Sequence, residues 1–325
     1  MTDGLNWKIF EAQDYCLLRK ELYGIPWYGS DTSPANLYFL QKKYDIRMCR
    51  RDNFLFRYYS GASVNRRGYG FPFALRDISS PGHPAEYDSK SLAAALKTII
   101  ADAKANNREP RLILVSERQK AEIDKCLAVE LTGFKIEWVT ERNDSDYMYS
   151  SRALAELKGK TYHKKKNHLS RFMRIYENRW KFKPLNEEGV AEDIVRVSSL
   201  WMGENGNDDL EVLRMEHESI EQALNVREIF SMIGGVLYVD EKPVAMTMAS
   251  PVNSYVVDVH FEKCLGQYAA NGGYAAINWC FANTVTDYEF LNREEDMGVE
   301  GLRKAKLSYH PDIILDKWYG VLTKC

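Results

Sequence analysis

The chain has 325 residues, enough for two domains of the usual ~100–200 residues each. A hydrophobic content of 45% and an aromatic content of 12% can bury a sizeable core, which excludes a disordered chain. The net charge of −2 hides an asymmetry: between Lys158 and Lys183 ten Lys or Arg meet one acid, Glu177, a local sum of +9 that leaves −11 on the rest.

The opening MTDGLNWKIF carries Asp3 and Lys8, which argues against a secretory signal. The helical spacing of Leu37, Leu40 and Tyr44 predicts a helix over Asn36 to Tyr44. Ile46 to Cys49 and Phe54 to Tyr59 read as strands joined by the polar turn Arg50-Arg51-Asp52-Asn53. Ser89 to Ala105 is a helix capped by Ser89 or Ser91, with Leu92, Ala95, Leu96, Ile99 and Ile100 as its buried stripe and Asn106-Asn107 as its end. Arg111 to Val115 is a buried strand, Glu117 to Leu127 a helix and Phe134 to Val139 another strand.

The basic segment follows, and from Lys158 to Tyr176 its Leu169, Phe172, Met173 and Tyr176 have helical spacing beneath the charges. Ile233 to Asp240 and Pro243 to Ala249 form a hairpin around Glu241-Lys242, and Tyr255 to Phe261 is a third strand. Leu265 to Thr286 is the longest uncharged stretch, but Gln267, Asn271, Asn278, Asn283 and Gly272-Gly273 would be costly in hydrocarbon. It reads as a loop and a buried helix, Gly273 to Asn283, and no transmembrane segment is expected. An apolar strand ending at Leu291, the charged turn Asn292 to Asp296 and an amphipathic helix from near Gly298 to Pro311 close the pattern. Hairpin, helix and strand thus recur at a lag of roughly 180 residues, the signature of a duplicated module.

Four groups of residues carry possible chemistry. Lys164, Lys165, Lys166, Arg171 and Arg174 can neutralise the phosphates of an RNA or of an anionic membrane, or can simply be solvated. In LGQYAANGGY, residues Gln267, Asn271, Gly272 and Gly273 lie where a strand turns into a helix, a geometry that offers backbone N–H groups to a phosphate but that any tight turn also needs. Asp258 and His260 fall on one face of their strand by the period of two, so the carboxylate can orient the imidazole as a general base; a satisfied core histidine is the plain alternative. Glu294, Glu295 and Asp296, on a charged turn at the carboxyl end of a strand, are alternative bases, and Tyr309 is either an acid or a core residue. The six cysteines are scattered without a short-spaced pair, so free thiols in a reducing cytoplasm and no metal site are expected.

Leu157-Lys158-Gly159-Lys160 followed by HKKKNHLSRF, together with NREEDMGVEGLRKAKLSYHP, resembles the family of uncharacterised soluble proteins related to the C-terminal domain of phosphatidylglycerol lysyltransferases. The resemblance implies an α/β fold of tandem acyl-CoA N-acyltransferase domains of the GCN5-related N-acetyltransferase (GNAT) type, each a mixed sheet flanked by helices. The division it suggests is 1–157 and 158–325. It implies aminoacyl transfer from charged tRNA to an amine or hydroxyl, with an acyl-CoA donor, or a silent module bound to RNA or anionic membrane, as the alternatives. The family's strand Asp matches Asp258, with Phe261 where an Arg is expected; its terminal helix matches Leu302, Lys306, Tyr309, Pro311 and Tyr319, with Ser308 in place of a second Lys. On that match Lys306, with the backbone near Gly272, is expected to face the developing oxyanion.

Overall fold

The computed structural model describes residues 4–22, 28–61, 66–75, 88–206 and 210–325. The chain forms two compact units, Met1–Ser145 with Leu315–Cys325, and Asp146–Ile314. The expected division at 157/158 is therefore corrected on two counts. The first unit ends a dozen residues earlier, because the strand Asp146–Ser150 pairs with Phe290–Asn292 of the second unit. It also regains the end of the chain, because Lys317–Lys324 pairs with strands of the first unit.

The first unit contains α1 (Ala12–Leu22), α2 (Pro34–Leu40), β1 (Ile46–Arg51), β2 (Phe54–Tyr59), β3 (Gly68–Tyr69), β4 (Phe73–Ala74), α3 (Ser89–Ala105), β5 (Arg111–Ser116), α4 (Glu117–Val129), β6 (Phe134–Ile136) and β7 (Val139–Thr140). Its sheet runs β1-β2-β3-β5, then the C-terminal strand, then β6. The β1–β2 hairpin turns at Asp52 and Asn53, both left-handed, as a tight two-residue turn requires. Asp88, and not a serine, caps α3 by accepting a hydrogen bond from the Ser91 amide. The apolar stripe expected of α3 is buried at Leu92, Ala95, Leu96 and Ile99.

The second unit contains β8 (Asp146–Ser150), α5 (Ser151–Glu156), α6 (His163–Ile175), β9 (Trp180–Pro184), α7 (Val190–Glu204), α8 (Leu210–Asn225), α9 (Arg227–Phe230), β10 (Ile233–Val239), β11 (Lys242–Pro251), β12 (Val256–Cys264), α10 (Gly266–Ala270), α11 (Gly273–Thr284), β13 (Phe290–Asn292), α12 (Glu300–Leu307) and β14 (Ile313–Leu315); the last strand of the chain is β15 (Lys317–Lys324). The sheet order is β14-β8-β13-β12-β11-β10-β9, antiparallel from β9 to β12 and parallel between β12 and β13. Each unit is thus a mixed sheet with flanking helices, the architecture expected from the sequence.

One face of the second sheet is covered by α11, which packs on α5 and α6 and joins Leu169, Phe172 and Tyr176 of the α6 segment to Leu237, Ala245, Val257 and Val259 in one apolar core. The other face is covered by α7, whose Asp193 accepts a hydrogen bond from the Tyr238 hydroxyl at 2.7 Å. All six cysteines are unpaired, and among the described residues no helix is long and apolar enough to cross a membrane.

α11 starts where α6 closes on it. Gly272 has φ +97°, and a Cβ there would lie 2.2 Å from the His168 carbonyl oxygen. Gly272→Ala is therefore expected to cost about 2 kcal/mol or more, from strain and from displacement of α6. Gly301→Ala, on α12 with open space around it, should instead stabilise by up to about 1 kcal/mol. Urea denaturation of the two variants checks both signs.

Candidate active site

The parallel pairing of β12 and β13 lasts three residues: Val256, Val257 and Asp258 lie opposite Phe290, Leu291 and Asn292. Beyond that level β12 runs on to Cys264 while the chain after Asn292 turns away, so the strands part and leave an opening at their carboxyl ends. The register between β11 and β12 slips at the same level. Met248 faces Phe261 and Ala249 faces Val259, which leaves His260 as the extra residue of a β-bulge. The bulge also reverses the alternation: Asp258 faces Ser250 and Glu262 faces Thr247, residues on opposite faces of β11, so Asp258 and Glu262 project from opposite faces of β12.

One side-chain contact spans the opening on each face. On the α7 face His260 Nδ1 lies 3.3 Å from Glu294 Oε1 and 3.6 Å from Asp258 Oδ2, and its Nε2 is 2.8 Å from Ser250 Oγ. Asp258 and His260 are buried there, while the Glu294 side chain keeps 23% of its surface exposed. The ligand atoms of the three lie within 4.8 Å of one another, close enough to share a proton or to hold one cation. On the α6 face Arg293 Nη2 donates to Glu262 Oε1 at 2.7 Å, and the guanidinium sits 4.9 Å from the Tyr309 ring centre. Adjacent residues Arg293 and Glu294, in the turn beyond β13, thus serve opposite faces.

The turn that aims them is held by Lys306. Its buried ammonium donates to the carbonyl oxygens of Arg293, Glu294 and Glu295 at 2.5, 3.1 and 2.5 Å. That assignment corrects the expectation of an oxyanion donor, since three carbonyls already engage its protons; burial lowers its pKa. Glu294 itself has φ +55°, a conformation costly for a residue with a side chain, and Asn292 Oδ1 accepts its amide at 2.8 Å. Asp296, weighed as a base, is instead bound to Arg303, to the Gly298 amide and to Tyr147 at 2.7, 2.9 and 2.5 Å. Glu295 contributes a carbonyl to Lys306. Tyr309 is buried, and burial pushes its hydroxyl up to about 12, so it holds its proton at neutral pH. Tyr319 belongs to the first unit, where its hydroxyl bonds Asp144.

The glycine turn is filled by protein. His168 of α6 closes on Gly272, and Gly273 packs against Cys264 and Tyr268. Asn271 accepts from Arg171 at 3.3 Å and donates to the Tyr176 hydroxyl at 2.9 Å, while Gln267 is exposed on α10. The first backbone amide of α10, at Gly266, donates to the Glu204 carboxylate of α7 at 2.8 Å. Of the basic run, Lys164, Lys166, Arg171 and Arg174 are exposed on α6. Lys165 departs from them: it is half-buried, with its ammonium 3.7 Å from the Tyr309 ring centre.

Sequence reasoning missed Glu262, Arg293 and the inward turn of Lys165. A signal for Lys165 was present, since it stands four and seven residues before Leu169 and Phe172 and so shares their helical face. Glu262 gave none, because only the bulge sends it to the α6 face.

The acid limb of stability offers a check on this turn. Hydrogen bonds from Arg303, then from Tyr147 and Gly298, hold the Asp296 carboxyl well below the usual carboxylate range. Its contribution is fully present above the unfolded value of about 3.9 and is lost as pH falls through the depressed folded value. Asp296→Asn should lower the thermal midpoint at neutral pH, and the wild-type and variant curves should converge as the pH is brought below about 4.

Comparison with known proteins places this architecture among relatives. Residues 24–321 match the family described as "Phosphatidylglycerol lysyltransferase, C-terminal". A conserved protein of unknown function from Bacteroides thetaiotaomicron is 29% identical and superposes with a TM-score of 0.84 over 98% of this chain and 100% of its own. The C-terminal domain of a putative lysylphosphatidylglycerol synthetase from Agrobacterium fabrum shares the fold at 11% identity, with a TM-score of 0.58 over 96% of this chain and 92% of its own. An uncharacterised protein of Mycoplasmoides gallisepticum is 23% identical over 233 residues, 68% of this chain and 74% of that protein.

Proposed function

The chain belongs to the phosphatidylglycerol lysyltransferase C-terminal family, whose membership and fold support an acyltransferase, and on that premise we propose that its second unit transfers an aminoacyl group from charged tRNA to an amine or hydroxyl. The observation that carries the proposal is the parting of β12 and β13 beside a bulge, with the His260–Glu294 pair across the gap. A carbonyl carbon held there meets the backbone of β12 beyond Asp258, where the β13 ladder has stopped and N–H groups can stabilise the oxyanion of a tetrahedral intermediate. Glu294 is the member of the buried triad that an acceptor can reach. It takes the acceptor's proton and shares it with His260, while Asp258 balances the charge that develops on the imidazole.

What the protein's own groups occupy supports this donor. In coenzyme A enzymes a pyrophosphate uses the glycine turn and the helix amides after the strand. Here the His168 carbonyl closes on Gly272, and Glu204 takes the Gly266 amide and would repel a pyrophosphate. An ester at the end of a nucleic acid needs neither, and the exposed Lys164, Lys166, Arg171 and Arg174 on α6 suit its phosphates.

The test is filter binding of the protein to bulk charged and uncharged tRNA across a salt series, with acetyl-coenzyme A as competitor. Binding that prefers charged tRNA and ignores acetyl-coenzyme A is expected; no preference, or displacement by acetyl-coenzyme A, overturns the donor assignment. Lys164→Glu with Lys166→Glu should weaken binding and flatten the salt dependence by about 2 units of slope. Glu294→Gln should leave binding intact and slow acyl transfer by ~10²–10⁴-fold.

A further inference from the structure

The α6 face of the same opening holds groups that this reaction does not use. The Glu262–Arg293 pair is made by one contact, Nη2 to Oε1. The other half of the fork, Arg293 Nη1 and Glu262 Oε2, is buried without a hydrogen-bond partner. A half-made pair is an expensive arrangement, since each unpaired buried polar atom forfeits its hydration. Lys165 reaches the same cluster from α6: its ammonium lies 3.7 Å from the Tyr309 ring centre, and the Arg293 guanidinium lies 4.9 Å from that ring. An amine, an unpaired carboxylate oxygen and an unpaired guanidinium N–H are the three parts that attack on an ester carbonyl requires.

We propose that Lys165 is a self-acylation site, whose side-chain amine takes the acyl group of an activated ester bound in the opening. The nitrogen of Lys165 forms a bond to the carbonyl carbon, and the carbonyl oxygen gains charge facing Arg293 Nη1. Glu262 Oε2 receives the proton that the nitrogen loses. The carbon–oxygen bond of the ester then breaks and the alcohol leaves with that proton, so that an amide remains on Lys165 and no further reactant is consumed. The amide removes the one inward cation of the basic run, and it persists where an ester would hydrolyse.

The amine is prepared for this by its surroundings. Burial, and then the positive charge of Arg293 from the end of β13, pulls the Lys165 pKa down to about 8, against the opposing pull of Glu262 on β12. Tyr309, beyond α12, faces the ammonium with its ring, and its hydroxyl is held protonated by burial. A substantial fraction of the amine is therefore neutral near pH 8, whereas an ordinary lysine needs a pH of about 10.4.

The inference rests on the acyl site proposed above only for the donor; the reactivity of the amine is tested separately. Full-length protein is treated with a trace of N-hydroxysuccinimidyl acetate at a series of pH values, digested after Glu, and the 157–177 peptide is sequenced by mass spectrometry. It carries Lys164 and Lys166 as internal standards. Lys165 should be labelled about tenfold faster than either neighbour at pH 7.5, with its rate half-maximal near pH 8. Labelling at or below the rate of the neighbours overturns the proposal. A parallel incubation with tRNA charged with radioactive amino acids should leave one base-stable aminoacyl group on Lys165. If the chemical ester labels Lys165 selectively and charged tRNA does not, the self-acylation site stands for other activated esters and the tRNA donor assignment fails.

Discussion

A buried ammonium bound to three carbonyl oxygens is the interaction on which the second unit's site depends. Lys306 offers three protons, and the carbonyls of Arg293, Glu294 and Glu295 take all three, so neither the charge nor the carbonyls go unsatisfied inside the protein. The consequence is geometric. Three consecutive carbonyls drawn to one point force the chain off the line of β13, give Glu294 its positive φ and open the gap beside β12. With the turn fixed, the Arg293 side chain meets Glu262 on one face and that of Glu294 meets His260 on the other. Each then finds its partner on β12 only because the bulge at His260 has separated Asp258 from Glu262. The buried charges of Glu262 and Arg293 are tolerated because they pair, and the incomplete half of that pair is left facing Lys165.

Helix α6 links this opening to the solvent. Its inner face, through Leu169 and Phe172, belongs to the same apolar core as α11, and the His168 carbonyl fits against a glycine because no Cβ could stand there. Its outer face keeps Lys164, Lys166, Arg171 and Arg174 in water, where they act as a field and not as fixed contacts. Only Lys165 crosses from one role to the other. A helix that both closes the glycine turn and carries an anion-attracting surface ties the choice of donor to the packing of the core.

The helices on the far face complete the enclosure in a different way. Lys263 of β12 is buried, 2.7 Å from Glu216 of α8 and 3.6 Å from the ring of Trp201 on α7. That pair and the bond from Gly266 to Glu204 fix α7 and α8 along the length of β12, so the buried Asp258–His260 pair has protein behind it and the opening before it. A base whose charge is balanced from behind gains most from being dry.

The sequence by itself determined what depends on near neighbours. Hydrophobic period and turn residues placed the β1–β2 and β10–β11 hairpins, α3, α4 and α11, and period two on β12 brought Asp258 and His260 together. The charge count singled out α6, and residue matches in two motifs pointed to the family. What only the tertiary structure decided involves partners far apart in the chain. Whether Lys165 faces solvent or Tyr309 depends on 143 intervening residues folding back, although its position on the apolar stripe was written in the sequence. The return of β15 to the first unit, and the pairing of β8 with β13 that moves the boundary, are ladders whose hydrogen bonds carry no side-chain signature. The bulge at His260 is one extra residue in a register, invisible to composition, and it alone decides that Glu262 meets Arg293. Local propensity is a property of neighbours along the chain, whereas an active site is a property of neighbours in space, and its charges settle where long-range packing lets them be paired.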